Sequence, residues 1–505
     1  MEKCVAALDI GTYSCKAAIY CARDRNLYSA SRGYGLLFPR PGYVEQDPGT
    51  WFRAAIDAFS DALRKVPGAA DKIAAISISG TNGLVMVDEQ GEPVHNAVMF
   101  SDRRSERQAA DLARRYGTLI EEIAGNRPAP GSFSLPIINW FREEQPELWQ
   151  KVRTILVPAG YVIMKLTGRR TIDTSRASMT LFFDQGKRRW SEELRAWEGI
   201  PGEVLPQLLE PWDVAGEVTP EAARLLGIKP GVPVLAGCVD TVAACVGMGN
   251  IAPGRATLML GTTGRVVLTI DSARFDGRFI NQCHALPGLW ICTGAMSSSG
   301  GSLKWFVDSF GRLEQALEGQ VGVSSYQLVD MAAARSPAGS RGVIYLPYLS
   351  GERSPPWNSR ARGVFFGLSD GSTYSDVARS VMEGVAFSFK DNLMTIEQAT
   401  GTFASGLMMG GGGARSRLWR QILADVLERP IEIPEVLEAE TLGSIALAGH
   451  ASHLWGSMDE AVHDLVKVSD TVLPDTRNSD VYRRQFRVFK DLYAALVPVF
   501  EEAAG

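Results

Sequence analysis

Two short segments of the chain carry glycine and hydroxyl side chains where a strand is predicted to turn back on itself. In the first segment an apolar run ends at Asp9, Gly11 and Thr12 follow, and Ser14 and Lys16 open the next run. Glycine allows a backbone to approach an anion closely, and backbone N–H groups and hydroxyls bind phosphate oxygens. Structural turns use the same residue types, so one such turn indicates phosphate binding only weakly.

The same pattern returns half a chain later, where Gly261, Thr262 and Thr263 follow another apolar run. Two equivalent turns that face one cleft would hold a polyphosphate from both sides, which favours the phosphate interpretation. The repeat also provides an internal comparison, because Met259 stands where the first segment has Asp9. The turn itself therefore does not require a carboxylate, and Asp9 is a candidate oxygen ligand for Mg²⁺ beside phosphate.

Two further segments place residues that could do chemistry directly after a predicted strand. Gly411, Gly412 and Gly413 interrupt a strand and lead into a helix, and a helix start of this kind favours anions. This segment is a candidate nucleotide-binding turn, with a tight packing turn as the alternative. Asp240 opens an apolar helix after the strand from Val232 to Ala236. A helix N-terminus favours a carboxylate, so Asp240 is a candidate general base, with a helix cap as the alternative.

Strands and amphipathic helices must position these residues. The hydrophobic pattern predicts β-hairpins at residues 5–21 and 256–270, a strand over 73–79, and helices over 51–66 and 106–116. This order indicates an α/β protein whose two halves begin with equivalent hairpins, with a boundary near residues 246–254. An apolar stripe over residues 480–502 predicts a last helix that packs against the core.

The composition indicates an ordinary globular protein. The chain has 505 residues, 45% of them hydrophobic and 22% charged, which predicts two or three domains. Its formal net charge of −5 leaves no basic field for a nucleic acid. The longest apolar stretches are interrupted and the N-terminus does not fit a signal peptide, so the expected location is the cytoplasm. The seven cysteines include no C-x-x-C pair, and reduced, mostly buried thiols are expected.

One competing motif is Gly-Leu-Ser-Asp-Gly at residues 367–371, which matches the G-x-S-x-G turn that presents a nucleophilic serine. In a hydrolase this turn leads directly into a helix, whereas here the polar residues 372–375 intervene. A serine hydrolase that uses Ser369 is therefore a distant alternative.

Several longer motifs occur together along the chain. They are Gln46-Asp47-Pro48 with Trp51, Cys283 to Pro287, Leu346 to Arg353, Gly411 to Ser416, and the long pattern from Gly363 to Glu383. With these motifs the chain resembles the FGGY carbohydrate kinases, and within them the xylulokinase-like branch, from Leu8 to about Gly449. Ser369 lies within this long pattern, so the match to G-x-S-x-G is explained as part of the family's pattern and no longer indicates a nucleophilic serine.

The resemblance implies the duplicated ribonuclease-H-like fold of actin, hexokinase and the Hsp70 ATPase domain. Two α/β domains, at residues 1–248 and 249–505, would enclose a cleft in which a phosphoryl group passes from ATP, with Mg²⁺, to a hydroxyl of a sugar or polyol. Asp240 matches the family's general base and Asp9 its metal-associated carboxylate. The implied phosphate and adenosine sites correspond to Gly11, Thr12, Ser14 and Lys16, to Gly261, Thr262 and Thr263, and to Gly411, Gly412 and Gly413.

The segments that should line the sugar pocket depart from the xylulokinase pattern. The loop with Thr81 and Asn82 is one residue shorter and lacks the usual histidine, Thr241 replaces an asparagine, and Phe100 replaces a tryptophan. The predicted sugar-binding residues are Thr81, Asn82, Asp102, Arg104, Asp240 and Thr241. The expected acceptor is D-xylulose, with another ketose or a polyol, such as ribulose, glycerol or a tetritol, as the alternative. The expected partners are these small molecules, without nucleic acid or membrane, and a homodimer is left open.

Overall fold

The computed structural model describes residues 3–23, 25–436 and 438–503. The strands of the N-terminal half are β1 (Cys4–Ile10), β2 (Ser14–Cys21), β3 (Leu27–Gly33), β4 (Glu45–Gln46), β5 (Ile73–Gly80), β6 (Gly83–Val87), β7 (Ala97–Met99), β8 (Thr154–Leu156), β9 (Thr171–Asp173), β10 (Phe183–Asp184), β11 (Arg189–Trp190), β12 (Gln207–Leu209), β13 (Val214–Glu217) and β14 (Pro233–Leu235). The helices of this half are α1 (Pro48–Arg64), α2 (Glu106–Ala124), α3 (Ser134–Glu144), α4 (Pro146–Trp149), α5 (Pro158–Thr167), α6 (Thr174–Ala177), α7 (Glu192–Trp197), α8 (Pro220–Leu226) and α9 (Asp240–Gly247).

The C-terminal half continues with a second series of elements. Its strands are β15 (Arg255–Leu260), β16 (Gly264–Ile270), β17 (Ile280–Cys283), β18 (Trp290–Met296), β19 (Ile344–Leu346), β20 (Val364–Phe366), β21 (Gly406–Gly410), β22 (Ile431–Pro434) and β23 (Val468–Val472). Its helices are α10 (Gly300–Phe310), α11 (Arg312–Val321), α12 (Ser325–Ala333), α13 (Tyr374–Thr400), α14 (Arg417–Leu427), α15 (Ala439–Ala451), α16 (Met458–Leu465) and α17 (Ser479–Ala503).

Each half contains one large mixed sheet, and the two sheets share a strand order. The first sheet runs β3-β2-β1-β5-β14-β13, and the second runs β17-β18-β16-β15-β21-β22-β23. In both sheets the two strands that come first along the chain form an antiparallel hairpin, β1 with β2 and β15 with β16. The next strand, β5 or β21, runs parallel to the first hairpin strand. The prediction of a duplicated α/β fold is confirmed.

The predicted helices lie close to their observed bounds. Helix α1 begins at Pro48, because the side chain of Asp47 accepts a hydrogen bond from the N–H of Gly49 and caps the helix. Helix α2 extends beyond its predicted end at residue 116, because its buried stripe continues through Ile120 to Ala124. Gly125 then ends this helix in a left-handed conformation, with a φ of 67°.

Helix α17 lies against the C-terminal half and buries part of its aromatic stripe. Tyr482, Phe489 and Phe500 belong to the large core cluster of that half. The Tyr482 hydroxyl donates a hydrogen bond of 2.8 Å to Glu383 on α13. The stripe seen in the sequence is therefore the face that contacts the core. Within the described ranges, no helix is both long and apolar enough to cross a membrane.

The expectation of reduced cysteines is wrong for one pair. Cys4 and Cys21 lie opposite each other at the open end of the first hairpin, with their Cα atoms 4.1 Å apart, and form a disulfide. The antiparallel pairing of β1 with β2 brings them together, although 17 positions separate them along the chain. The buried free thiols are those of Cys15, Cys238, Cys245, Cys283 and Cys292.

Helices α9 and α15 pack against each other where the two halves meet. Helix α15 also lies against β1 and β5 of the first sheet, and one buried cluster combines residues of both halves. A Cβ atom on Gly247 would lie 1.9 Å from the carbonyl oxygen of Ala439, and one on Gly443 would lie 1.9 Å from that of Ala243. The two backbones are therefore in direct contact, and neither glycine has room for a side chain.

We expect Gly443→Ala to destabilise the protein, because the new methyl group would overlap backbone that cannot move away without separating the two helices. Overpacking of this kind costs about 1–3 kcal/mol, and overlap with backbone places the expected loss near the upper value. Denaturant unfolding followed by circular dichroism measures the change.

The matched control is Gly319→Ala on α11, where an added Cβ would meet no atom within 4 Å. Alanine has the higher helix propensity, so this control should gain up to about 1 kcal/mol. Equal unfolding midpoints for the two variants would contradict the close contact between α9 and α15.

Candidate functional site

In the turn of the first hairpin, side chains hold the backbone carbonyl groups, and two backbone N–H groups remain free to bind a ligand. The N–H of Gly11 donates to the carbonyl oxygen of Ser14 at 3.0 Å, which closes the turn. The Tyr34 hydroxyl donates to the carbonyl oxygen of Gly11, and the Gln46 amide donates to that of Thr12, each at 2.7 Å. The N–H groups of residues 12 and 13 form no hydrogen bond with the described part of the chain. They are available to an anion.

The turn of the second hairpin is built in the same way. The N–H of Gly261 donates to the carbonyl oxygen of Thr263 at 3.2 Å. The first residues of α10 hold this turn, since Gly300 donates to the carbonyl oxygen of Gly261 at 2.7 Å and Gly301 donates to that of Thr262 at 2.9 Å. Among the described residues, none accepts a hydrogen bond from the N–H groups of Thr262 and Thr263. The two hairpins therefore present equivalent pairs of free donors.

Asp9 lies at the end of β1 with its carboxyl group buried. The Ser79 hydroxyl donates to its Oδ1 at 2.8 Å, and Lys16 lies opposite it in the hairpin register. Burial, together with the nearby carboxylates of Glu440 and Asp240, raises the pKa of Asp9 to about 7. A buried carboxyl group that is costly to ionise is suited to a bound cation, which stabilises its charged form.

The residues around Asp9 fit a magnesium ion that is held mainly by a nucleotide. No three His, Cys, Asp or Glu side chains of the described ranges converge as a metal site of their own. Mg²⁺ commonly binds through one or two carboxylates, with phosphate oxygens and water as its other ligands. Asp9 beside the first hairpin provides a carboxylate of this kind.

Asp240 is the first residue of α9 and does not cap it, because the preceding position is Val239. Its Oδ1 accepts hydrogen bonds from the N–H and the hydroxyl of Thr241, at 2.6 and 3.0 Å. Thr241 in turn accepts a hydrogen bond of 2.9 Å from Arg265 on β16. The other oxygen of Asp240, Oδ2, has no hydrogen-bond partner in the described ranges.

Arg265 is a site residue that the sequence analysis does not identify. Its signal in the sequence is an arginine directly after the last glycine of the second hairpin. Residue type and position alone do not indicate that this side chain extends to Thr241, which precedes it by 24 positions.

Thr81 and Asn82 lie in the loop after β5, next to the first hairpin. The hydroxyl of Thr81 is 3.3 Å from that of Thr12, so the predicted sugar loop and phosphate turn are in contact. Asn82 donates a hydrogen bond of 2.7 Å to the carbonyl oxygen of Ser132. Its amide oxygen has no partner among the residues that the structure describes. This oxygen is available to a hydroxyl of a bound molecule.

Asp102 and Arg104 lie in a buried network of ion pairs. Arg104 donates to both oxygens of Asp102 at 2.9 Å and to Glu45 at 2.7 Å, and it stacks on the ring of Tyr43. Its side chain is only 1% exposed. Glu45 precedes Gln46, which binds the first hairpin. The arrangement therefore suits these two predicted sugar-binding residues to positioning that hairpin.

A cavity of about 760 Å³ lies beside the second hairpin. Four predicted residues line it, namely Gly261, Thr262, Gly412 and Gly413. Residues of α10, α12 and α14 and of their flanking loops complete the wall, including Gly300, Lys304, Ser324, Tyr326, Gln327, Asp330, Ser416 and Trp419. Gly411 forms the turn behind this wall with a φ of 86°, where a Cβ would lie 2.6 Å from the carbonyl oxygen of Leu260. The volume and the mixed lining suit a nucleoside.

Ser369, the serine of the competing motif, lies in an exposed turn after β20. Its backbone N–H donates a hydrogen bond of 3.0 Å to the hydroxyl oxygen of Ser372, and the two hydroxyl oxygens are 3.5 Å apart. No hydrogen bond joins Ser369 to a histidine in the described part of the chain. This arrangement does not activate a nucleophile.

Comparison with known proteins agrees with this geometry. Family models of the FGGY family of carbohydrate kinases match at residues 4–247 for the N-terminal domain and 256–452 for the C-terminal domain. The xylulose kinase of Lactococcus lactis is 30% identical over 97% of this chain and 96% of that protein. The gluconokinase of Bacillus licheniformis is 27% identical over 100% of this chain and 98% of that protein.

A solved structure gives the same result. The crystal structure of xylulose kinase from Rhodospirillum rubrum is 29% identical and superimposes with a TM-score of 0.90, covering 99% of this chain and 100% of that chain. The family models together span most of the sequence. The chain therefore belongs to the FGGY family of carbohydrate kinases and is a phosphotransferase.

Proposed function

We propose that the protein transfers the γ-phosphoryl group of ATP to a hydroxyl group of D-xylulose, giving D-xylulose 5-phosphate. The observation that carries the proposal is the hydrogen-bonded series from Asp240 through Thr241 to Arg265. This series joins a carboxylate of the first half to the phosphate hairpin of the second half. Phosphoryl transfer needs mainly such positioning of a base and a hydroxyl beside the phosphate groups.

The donor site is supported by the cavity beside the second hairpin. A nucleoside in this cavity would have its phosphates directed toward Gly261 and Thr262, which belong to the lining. The free N–H groups of the two hairpin turns would then bind phosphate oxygens, as backbone donors do in other phosphate sites. Asp9 would hold Mg²⁺, which neutralises charge on the phosphates when it is bound.

Asp240 would act on the acceptor hydroxyl. Thr241 fixes the carboxylate through Oδ1, so Oδ2 is the atom that would receive the proton of the attacking hydroxyl. Asn82 would contact another hydroxyl of the acceptor through its free amide oxygen. These residues orient the acceptor, and the hairpins orient the donor.

The choice of D-xylulose is supported by the relatives named xylulose kinase. The gluconokinase relative makes D-gluconate the second candidate acceptor. Ribulose, glycerol and a tetritol are the further alternatives. Few polar side chains in the pocket decide among these acceptors.

Asp240→Asn is expected to lower turnover by about 10²- to 10⁴-fold, because the variant cannot accept the proton of the hydroxyl. Fold and nucleotide binding should be preserved, since asparagine keeps an acceptor for Thr241. Coupled ADP release measures turnover, and calorimetry with ADP measures binding. Asp480→Asn, at an exposed helix start, is the matched control. Near-normal turnover of Asp240→Asn would rule out its role as the base.

Asp9→Asn is expected to lower Mg²⁺-dependent turnover and to stabilise the ligand-free protein at alkaline pH. The pKa of Asp9 is raised from 3.8 to about 7 in the folded protein. Between these values the folded protein keeps a proton that the unfolded chain has released, so the carboxyl group makes stability fall as the pH rises from about 4 to about 7. Asparagine does not titrate, and its amide oxygen can still accept from Ser79.

Thermal unfolding across this pH range compares the two proteins. The gain of Asp9→Asn should be absent near pH 4, grow as the pH rises, and reach its full size above about pH 7. Identical pH profiles for wild type and Asp9→Asn would contradict a buried, hard-to-ionise carboxyl group.

Met259→Asp, at the position that corresponds to Asp9 in the second hairpin, should instead weaken ATP binding, because it adds a negative charge near phosphate.

Thr241→Asn tests whether this position determines the acceptor. Asparagine is the residue expected for D-xylulose, so the variant should phosphorylate D-xylulose faster relative to the other acceptors. A panel of D-xylulose, D-ribulose, D-gluconate, glycerol and a tetritol in the coupled assay gives the order of preference for both proteins. An unchanged order, with D-xylulose already far ahead in the wild type, would show that position 241 does not report the substrate. Release of ADP with another acceptor of the panel but not with D-xylulose would overturn D-xylulose as the acceptor and keep the kinase activity.

A further inference from the structure

We infer that Arg265 is a further catalytic residue, which contacts the transferring phosphoryl group from the side opposite Lys16. The inference rests on the proposed function, because it assigns a residue to that reaction. Its position in the duplicated fold, its lack of a carboxylate partner and its contact with Thr241 carry the argument.

Arg265 is the counterpart of Lys16 in the second half. In the first hairpin Lys16 pairs with Asp9, and in the second Arg265 pairs with Met259. Since Asp9 and Met259 occupy equivalent positions, each hairpin carries one cation at the same place in its second strand. Burial raises the pKa of the half-buried Glu440, and the charges of Lys16 and Arg265 both oppose this rise. The two side chains therefore act on the same region of the cleft from opposite hairpins.

Arg265 has no carboxylate in direct contact with it among the described residues. The side chain is half-buried and forms no ion pair within 4.0 Å with any residue of the described ranges. By contrast, Arg255 on the neighbouring strand β15 pairs with Glu432 at 2.7 Å. Burial and the guanidinium of Arg265 lower the pKa of Arg353, so a second cation lies nearby. Glu352 raises the pKa of Arg353 and so offsets part of this effect, whereas Arg265 itself forms no ion pair. A partly buried guanidinium group without a direct ion-pair partner, with a second one nearby, is suited to an external anion.

The contact with Thr241 indicates which anion this is. The side chain starts next to the turn that binds phosphate and ends 2.9 Å from Thr241, which holds Asp240. The reacting phosphorus atom must lie between the phosphate turn and the hydroxyl that Asp240 orients. Arg265 spans this same gap.

The step can be written in full. An oxygen of the acceptor hydroxyl forms a bond to the γ-phosphorus of ATP, and its proton passes to Oδ2 of Asp240. The bond between the γ-phosphorus and the bridging oxygen breaks, and ADP leaves with the electron pair. The guanidinium of Arg265 stabilises the negative charge on the equatorial oxygens of the phosphoryl group during this exchange.

Arg265→Met is the principal test, since it keeps much of the length and removes the charge. Turnover should fall by about 10²- to 10³-fold with whichever panel acceptor is best, while the KM for ATP changes little. The slow hydrolysis of ATP without acceptor should fall as well. Calorimetry should show that MgADP binds normally, whereas MgADP with aluminium fluoride, which mimics the phosphoryl group in transit, loses most of its additional affinity.

Arg255→Met is the matched control, because it removes a paired arginine from the same sheet and should leave all of these quantities close to wild type. Arg265→Ala should regain part of its turnover when guanidinium is added below denaturing concentrations, and the control should not respond. Guanidinium rescue distinguishes a chemical role from a folding defect. It requires that the variant be folded, which circular dichroism checks.

Three results would overturn the inference. One is an Arg265→Met enzyme with normal turnover and normal affinity for the aluminium fluoride complex. Another is a loss that is limited to the KM for D-gluconate, with unchanged ATP hydrolysis, which would assign Arg265 to an acceptor carboxylate. The third is a folded Arg265→Ala variant that guanidinium does not rescue. If the wild type itself transfers no phosphoryl group to any acceptor, the proposed function fails, and the aluminium fluoride comparison still tests Arg265.

Discussion

The direct contact between the backbones of α9 and α15 sets the distance between the two halves of the protein. Gly247 and Gly443 lie at the crossing, and each occupies space where a methyl group would meet a carbonyl oxygen. Asp240 begins one of these helices, and Glu440 lies in the first turn of the other. Two of the charged groups of the cleft, Asp240 and Glu440, therefore lie on the same pair of helices that joins the halves. A change in this crossing would move the base relative to both hairpins.

The cleft collects charges that the fold itself does not neutralise. Asp9 and Glu440 have pKa values raised by burial, and Lys16, Arg265 and Arg353 lie near them. Elsewhere the protein pairs its buried charges, as Arg176 does with Asp173 at 2.6 Å. Buried charges without such partners reduce stability, and strain of this kind is tolerated at functional sites. A bound nucleotide with its cation would add charges of both signs beside these groups.

Much of the fold follows from local patterns. The hairpins are visible because apolar alternation stops at glycine and threonine, and the repeat of this pattern reveals the duplication. Asp240 and the glycines at 411–413 stand out because each directly follows a strand. The network of Arg104 with Glu45 could not be read from the sequence, since Glu45 belongs to a two-residue strand without a pattern of its own. The walls of the cavity beside the second hairpin come from α10, α12 and α14, which only the folded chain brings together. Arg265 has an ordinary place in an alternating strand, and its role depends on where its side chain ends.

The disulfide between Cys4 and Cys21 has a consequence for the phosphate hairpin at its other end. A shift of one residue between paired strands would turn every side chain to the opposite face of the sheet. The hairpin needs Asp9 and Lys16 side by side, because one is the predicted metal ligand and the other a predicted phosphate contact. A covalent bond at the open end fixes which residue of β1 faces which residue of β2. The disulfide therefore fixes the register of β1 and β2. The order of the charged side chains at the turn stays the same when the two strands move together.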